Sequence, residues 1–202
     1  MSSSAPARAQ GAQRRDDILR IAMETFATRG YHNASLAEIA ERSGLTQAGV
    51  LHHFRTKAGL LTGVLELRDK SDIEALGDGR PRGLGMLRHL VDTARLNAER
   101  AGIVRLYTVL SAESVTEGHP AQEYFRGRYT GLRAIVVAAL REAVDAGAVA
   151  PTLPVESVAN GIIAVMDGLQ VQWLLDPGAV DMVETTERVI TALIGVRLPP
   201  EG

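Results

Sequence analysis

The chain has 202 residues, 46% apolar and 23% charged, with 22 Lys and Arg against 24 Asp and Glu. That is a globular composition, too apolar for a disordered chain, and uninterrupted apolar runs such as Ile135–Leu140 fall far short of the roughly 18 residues of a membrane span. Cysteine is absent, which excludes disulfides, thiol nucleophiles and cysteine-ligated zinc; with no charged start leading into an apolar stretch, the expected compartment is a reducing cytoplasm.

Residues 1–13 are mainly Ser, Ala, Gly and Gln and predict a flexible arm. From Arg14 the period becomes helical: Leu19, Ala22, Met23 and Phe26 form one buried stripe, and Gly30 follows where a helix would stop. Ser35-Leu36-Ala37-Glu38 is a capping box, with a serine oxygen for the orphan N–H groups and a glutamate reaching back; Leu36, Ile39 and Ala40 then make a short apolar face. Ser43-Gly44-Leu45 breaks that helix. Thr46 caps a third containing Val50 and Phe54, and Thr56 caps a fourth with Leu60, Leu61, Val64, Leu65 and Leu76 facing inward. Gly77-Asp78-Gly79-Arg80-Pro81 is a break. Further helices are predicted at about 82–100, 103–116, 121–146, 155–175 and 179–196, with Pro151 and Pro154 punctuating one loop. No stretch sustains apolar/polar alternation, so the fold class is all-α.

Charge is distributed unevenly along this order. Residues 1–57 carry eight Lys/Arg and five Asp/Glu with three histidines, whereas the remainder carries fourteen against nineteen. A basic N-terminal part and an acidic body point to an anionic partner for the former. The block from Ser35 to Phe54 carries the chemistry: a capped helix, a glycine turn and a second short helix, the spacing of a helix-turn-helix. Gly44 supplies the turn and the small Ala40 permits close helix approach. If Val50 and Phe54 face the core, the opposite face centres on Ala48 and His52, flanked by Gly49 and Leu51. Small residues there let the helix approach base edges, where Gln47 can bond bidentately to adenine and Leu51 can touch a thymine methyl. His52 can donate to a phosphate. Ser35 and Lys57 sit at helix N-termini that favour phosphate oxygens, and Thr46 adds a hydroxyl beside its capping role.

At these residues the chain resembles the tetracycline-repressor (TetR) family of transcriptional regulators. The resemblance runs from about Arg14 to Arg68 and rests on Ile18-Leu19, Phe26-Ala27-Thr28-Arg29-Gly30-Tyr31, Ser35 to Ala40, Gly44-Leu45-Thr46, His52-His53-Phe54 and Lys57. Two departures stand out: Leu51 occupies a place where the family usually has a phosphate-touching tyrosine, and Ala48 one where glycine is common. The resemblance implies DNA contacts from Gln47, Gly49, His52, His53 and Lys57. After the arm over 1–13, it further implies a DNA-binding domain over 14–57 and a ligand-binding, dimerising body over 58–202, with helix 57–76 as the lever between head and body. It also implies double-stranded operator DNA and a small-molecule effector as partners, with release of the DNA when the effector binds. No membrane partner and no cofactor is expected.

The body supports a dimer physically. Val158, Ile162, Val165, Leu169 and Trp173 form one apolar stripe on helix 155–175, and Gly161, Ala164, Gly168, Val171 and Leu175 form a second of mostly small residues. A helix apolar on two faces must be covered on two sides. The small face suits a partner helix, with Val183, Ile190 and Leu193 of the last helix completing a four-helix interface. The alternative is that both stripes are covered within the chain. His89, Asn97, Tyr107, Tyr124, Tyr129, Asn160, Asp167, Gln170 and Trp173 are the polar or aromatic groups a ligand cavity between helices would use; packing is the plainer role for each singly. Gly77-x-Gly79 followed by Gly83 does not fit a nucleotide loop, and no Walker lysine, H-E-x-x-H or G-x-S-x-G occurs. No catalytic residue is therefore named. His52 and His53, adjacent on a helix, diverge by about 100° and are not expected to share a metal. Two rival readings remain, a small helical enzyme or ligand carrier and an architectural DNA binder without an effector.

Overall fold

Helices form where the apolar stripes and caps place them. The computed structural model describes residues 4–76 and 81–200, with side chains from Gln10 to Lys70 and from Pro81 to Pro200. It comprises α1 (Ser4–Asn33), α2 (Leu36–Arg42), α3 (Gln47–Phe54), α4 (Lys57–Leu76), α5 (Leu84–Ala98), α6 (Ala101–Glu113), α7 (Gln122–Asp145), α8 (Val155–Leu175) and α9 (Met182–Ile194). Among the described residues there is no strand. The break at Gly77–Arg80, with its Gly77-x-Gly79 pattern, and the inward orientation expected of Leu76 lie outside what is described.

Part of the expected arm is helical, because α1 begins at Ser4. Alanines at 5, 7, 9 and 12 favour helix, and Pro6 stands in the first turn, where its missing N–H has no intrahelical partner to lose. Met1–Ser3 are outside the described residues. Gly30 breaks α1 near its end with φ 73°, so the predicted stop is a kink followed by one more short turn to Asn33. The sixth helix ends at Glu113 rather than about 116, and the ninth starts at Met182 because Asp181 caps it, its carboxylate accepting from Glu184 N at 2.8 Å.

The chain divides into two compact units, residues 1–75 with 105–122 and residues 76–104 with 123–202. In the first, α1 packs on α2 and α2 on α3. Its core holds Ile18, Leu19, Ala22 and Phe26 of α1, Ile39 and Ala40 of α2, Val50 of α3 and Leu60, Leu61 and Val64 of α4. Each fully buried large side chain contributes roughly 1.5–3 kcal/mol. In the second unit α9 packs on both α5 and α8. Leu87, Leu90 and Val91 of α5 meet Val136, Leu140 and Ala143 of α7, Val158 and Ile162 of α8, and Ile190 and Ile194 of α9. Arg141 ties α7 to Glu156 of α8 at 2.6 Å, and Arg88 holds both Glu187 (2.6 Å) and the carbonyl of Pro199 (2.7 Å).

Helix α8, with 21 residues and a mean hydropathy of 1.3, is by length and composition sufficient to cross a membrane, which the short apolar runs of the sequence do not show. One of its stripes, Val158, Ile162 and Leu169, is buried in the second unit.

Candidate nucleic-acid interface

The geometry begins with two caps. Ser35 Oγ accepts from Ala37 N (3.1 Å) and Glu38 N (3.4 Å), starting α2; the glutamate of the box lies with its carboxylate 3.8 Å from Arg29 Nε. Gly44 takes φ 64°, a left-handed conformation natural to glycine, and Leu45 N then bonds back to Ala40 O at 2.8 Å. Thr46 Oγ1 accepts from Gly49 N at 3.1 Å and starts α3. Arg42 locks this pair of helices onto α1 by donating to Thr25 Oγ1 (2.9 Å) and Glu24 Oε2 (2.5 Å). Val50 and Phe54 are buried, so α3 is held by one side only. The other side presents Gln47, Ala48 and His52 to solvent, with Gly49, Leu51 and His53 half-buried. Two side chains at the end of α3 stack edge-on, His52 against His53 at 5.7 Å. Arg15 of α1 lies 4.9 Å from the Phe54 ring centre, behind the exposed face.

Lys57 does not stand free as a phosphate contact. Its Nζ donates to His32 O at 3.2 Å and lies 4.5 Å from the Tyr31 ring centre. Burial lowers the Lys57 pKa, and the Glu113 charge opposes that shift. The Glu113 carboxylate reaches the end of α1, accepting from Tyr31 N at 2.6 Å. Beside it, His119 is buried, with Nδ1 accepting from Ala121 N (3.2 Å) and Nε2 3.7 Å from Glu113 Oε2. Burial depresses the His119 pKa, and Glu113 works against it. Sequence reasoning passed over Glu113 and His119. Nothing local marks Glu113, since its partner Tyr31 lies some 80 residues earlier, and the rings that His119 meets, Tyr31 and His32, are as distant.

The body residues divide. Asn97 and Gln170 border a cavity of about 10 Å³ among α5, α8 and α9, together with Met166, Leu169, Met182 and Thr186, which is room for roughly one water. Trp173 packs beside it against Ala94, Leu169 and Met182. Tyr129 donates to Asp167 at 2.7 Å, joining α7 to α8, and burial pushes the Asp167 carboxyl above its ordinary range. The others are not brought to the cavity. Asn160 is exposed and accepts from Arg133 Nε at 2.7 Å, because it lies on the outer side of α8. Tyr107 belongs to the first unit, under the Arg68 guanidinium at 4.7 Å. Tyr124 packs edge-on against Phe125 at 5.1 Å, and His89 neighbours Thr93.

Residues 18–64 match the family described as bacterial regulatory proteins, tetR family, and residues 85–195 match the BetI-type transcriptional repressor C-terminal family. The chain belongs to the TetR family of bacterial transcriptional regulators. Two regulator relatives match over nearly the whole chain. It is 27% identical to the probable HTH-type transcriptional regulator ArpR of Pseudomonas putida, covering 95% of each chain. It is 25% identical to the HTH-type transcriptional repressor BepR of Brucella suis, covering 93% of each. The fold matches that of FadR from Bacillus subtilis in complex with stearoyl-CoA at a TM-score of 0.73, with 18% identity over 88% of this chain and 96% of that one. This TetR-family regulator thus carries its helix-turn-helix as α2 and α3, with α3 in the recognition position.

On the candidate dimer face of the regulator, Ala164, Val171, Leu175 and Leu193 are exposed, while Gly161 and Gly168 are half-buried. The side chain of Leu193 sits 3.7 Å from where a Cβ on Gly161 would be. Ile190 is a correction to the expected face, being only 1% exposed inside its own core. It falls on the inward stripe Met182, Thr186, Ile190, Ile194, spaced by four, and Val183 packs against the same core. Among the described residues no group of three His, Asp or Glu side chains is placed to hold a metal.

Proposed function

We propose that this regulator represses transcription as a homodimer acting on DNA in the cytoplasm, reading a palindromic operator with paired α3 helices and releasing it when a small molecule binds the body. One observation carries the reading: α3 is buried only through Val50 and Phe54 and presents Gln47, Ala48 and His52, a small-residue face with one bidentate amide, to solvent. Two recognition helices about 34–36 Å apart match successive major grooves on one face of DNA. The effector must bind the DNA-incompetent state more tightly, and operator then weakens effector binding by the same factor. Names of relatives support repression, since BepR is a repressor and the C-terminal match is to a repressor family.

Fluorescence-anisotropy titration against DNA upstream of the regulator's own gene, with unrelated DNA as control, tests this. Operator binding should exceed non-specific binding by roughly a thousandfold or more and both should weaken between about 50 and 200 mM salt. Equal affinity for every DNA tested would remove the operator-reading role.

Effector-independent DNA binding is the second reading, favoured by the water-sized cavity. A thermal-shift screen separates the two, because a true ligand at one hundred times its dissociation constant stabilises by roughly 2.7 kcal/mol.

A further inference from the structure

We propose that Glu113 is a positioning residue for operator recognition: its carboxylate, delivered by α6, holds the end of α1 and the start of α4 in the arrangement that presents α3. The proposal rests on the operator-binding reading above.

The contacts form one connected set. Glu113 Oε2 accepts the Tyr31 N–H at 2.6 Å, just after the kink at Gly30, where a side chain would overlap the carboxylate. Tyr31 lies beneath the ammonium of Lys57, the first residue of α4, and Lys57 donates to His32 O. The carboxylate therefore fixes the corner from which α2 departs and, through Tyr31 and Lys57, the helix that follows α3. Both flanks of the helix-turn-helix, the end of α1 and the start of α4, are tied to one acidic side chain that does not itself belong to it. The titratable groups facing this carboxylate are His119 from the turn after α6, Tyr31 and His32 from the end of α1, and Lys57 from α4. His119 holds Ala121 N–H on Nδ1, so the ring carries its proton on Nε2, towards Glu113.

The sign of the effect separates positioning from plain electrostatics. A carboxylate in a unit that binds a polyanion repels it, so neutralising it should by itself raise affinity for any DNA. Loss of a positioning group instead lowers affinity for operator alone. Glu113→Gln keeps the size and, at the place of Oε2, an acceptor oxygen for the Tyr31 N–H, but removes the charge facing Lys57 and His119 and puts an NH₂ group at the place of Oε1 beside Gly30. Operator affinity should fall by roughly tenfold, the scale of losing a charge-assisted contact, while affinity for unrelated DNA stays level or rises. Because burial holds the His119 pKa below the ordinary imidazole value, the wild type should lose operator selectivity only between about pH 6.5 and 5, as His119 takes a proton and draws the carboxylate from Tyr31. The Glu113→Gln protein should lose less, since it has no carboxylate for the imidazolium to draw.

The experiment is anisotropy titration of wild type and Glu113→Gln against operator and unrelated DNA at both pH values, with thermal unfolding in parallel. Operator affinity at or above wild type overturns the proposal. So does an equal loss on both DNAs, an unchanged pH profile, or an unfolded variant, which would make Glu113 a folding residue. A wild type that fails to distinguish operator from unrelated DNA overturns the operator-reading function itself, a separate and recognisable result.

Discussion

Gly30 shows how much one backbone position carries. Its φ of 73° is a conformation that side chains disfavour, and the space a Cβ would fill belongs to the Glu113 carboxylate. Gly30→Ala is therefore expected to lower unfolding free energy by about 1–3 kcal/mol, read as a lower urea midpoint with an unchanged slope. Gln47 is the contrasting case, an exposed residue with no structural partner to lose. Gln47→Ala should leave stability within about 0.5 kcal/mol and weaken operator binding roughly ten- to a hundredfold, the worth of a bidentate base contact. Affinity for unrelated DNA should not change in the same titration. An equal loss on both DNAs would place Gln47 on the phosphate backbone instead. At this scale the exposure of Gln47 and the caps Ser35 and Thr46 were legible, because a cap and a helix face need only their own helix. Lys57 was legible as a helix-start cation but not as the group that staples His32 and Tyr31, since nothing in its neighbourhood names those partners.

The elements behave as their stripes dictate, and α7 and α8 add a titratable tie. Asp167 is pushed above the ordinary carboxylate range mainly by burial, with the Tyr129 hydrogen bond and the Arg128 charge pulling the other way. Its proton is thus held to higher pH in the folded chain than in the unfolded one. The group favours folding at low pH, and that contribution is lost as pH rises through the raised value. Asp167→Asn, which keeps an oxygen for Tyr129, should make the protein more stable than wild type near pH 7, with the advantage shrinking towards about pH 4. Urea unfolding at the two pH values checks this, and an advantage that grows towards acid would refute the assignment. Helix α9 shows where periodicity alone fell short. Ile190 and Leu193 both read as apolar face residues, yet a helix has one inward side, and the spacing of Met182, Thr186, Ile190 and Ile194 claims it for Ile190.

For the whole molecule, the exposed end of α8 bears on assembly. Leu175 is 82% exposed and Val171 44%, an unusual placement for side chains of that size unless something covers them. In the proposed dimer, the double variant Val171→Asp with Leu175→Asp should sediment as a monomer with its helical circular dichroism intact. Its operator affinity should fall because a monomer reads a single half-site. A variant that remains dimeric would place the interface elsewhere.

The local elements of this regulator were determined by its sequence alone. The places of α2 to α9 in outline, the capped turn at Ser43–Thr46, the inward Val50 and Phe54 and the exposed Gln47 and His52 follow from spacings of one to four residues, and such spacings are satisfied within a helix and its neighbour. Tertiary structure alone decided that residues 105–122 join the first unit, that the Glu113 carboxylate meets the Tyr31 N–H and that Asn97 and Gln170 border a small cavity with Met182 and Thr186. Those outcomes depend on which surfaces meet across some 80 residues of chain, where a carboxylate has many possible partners and only close packing selects one.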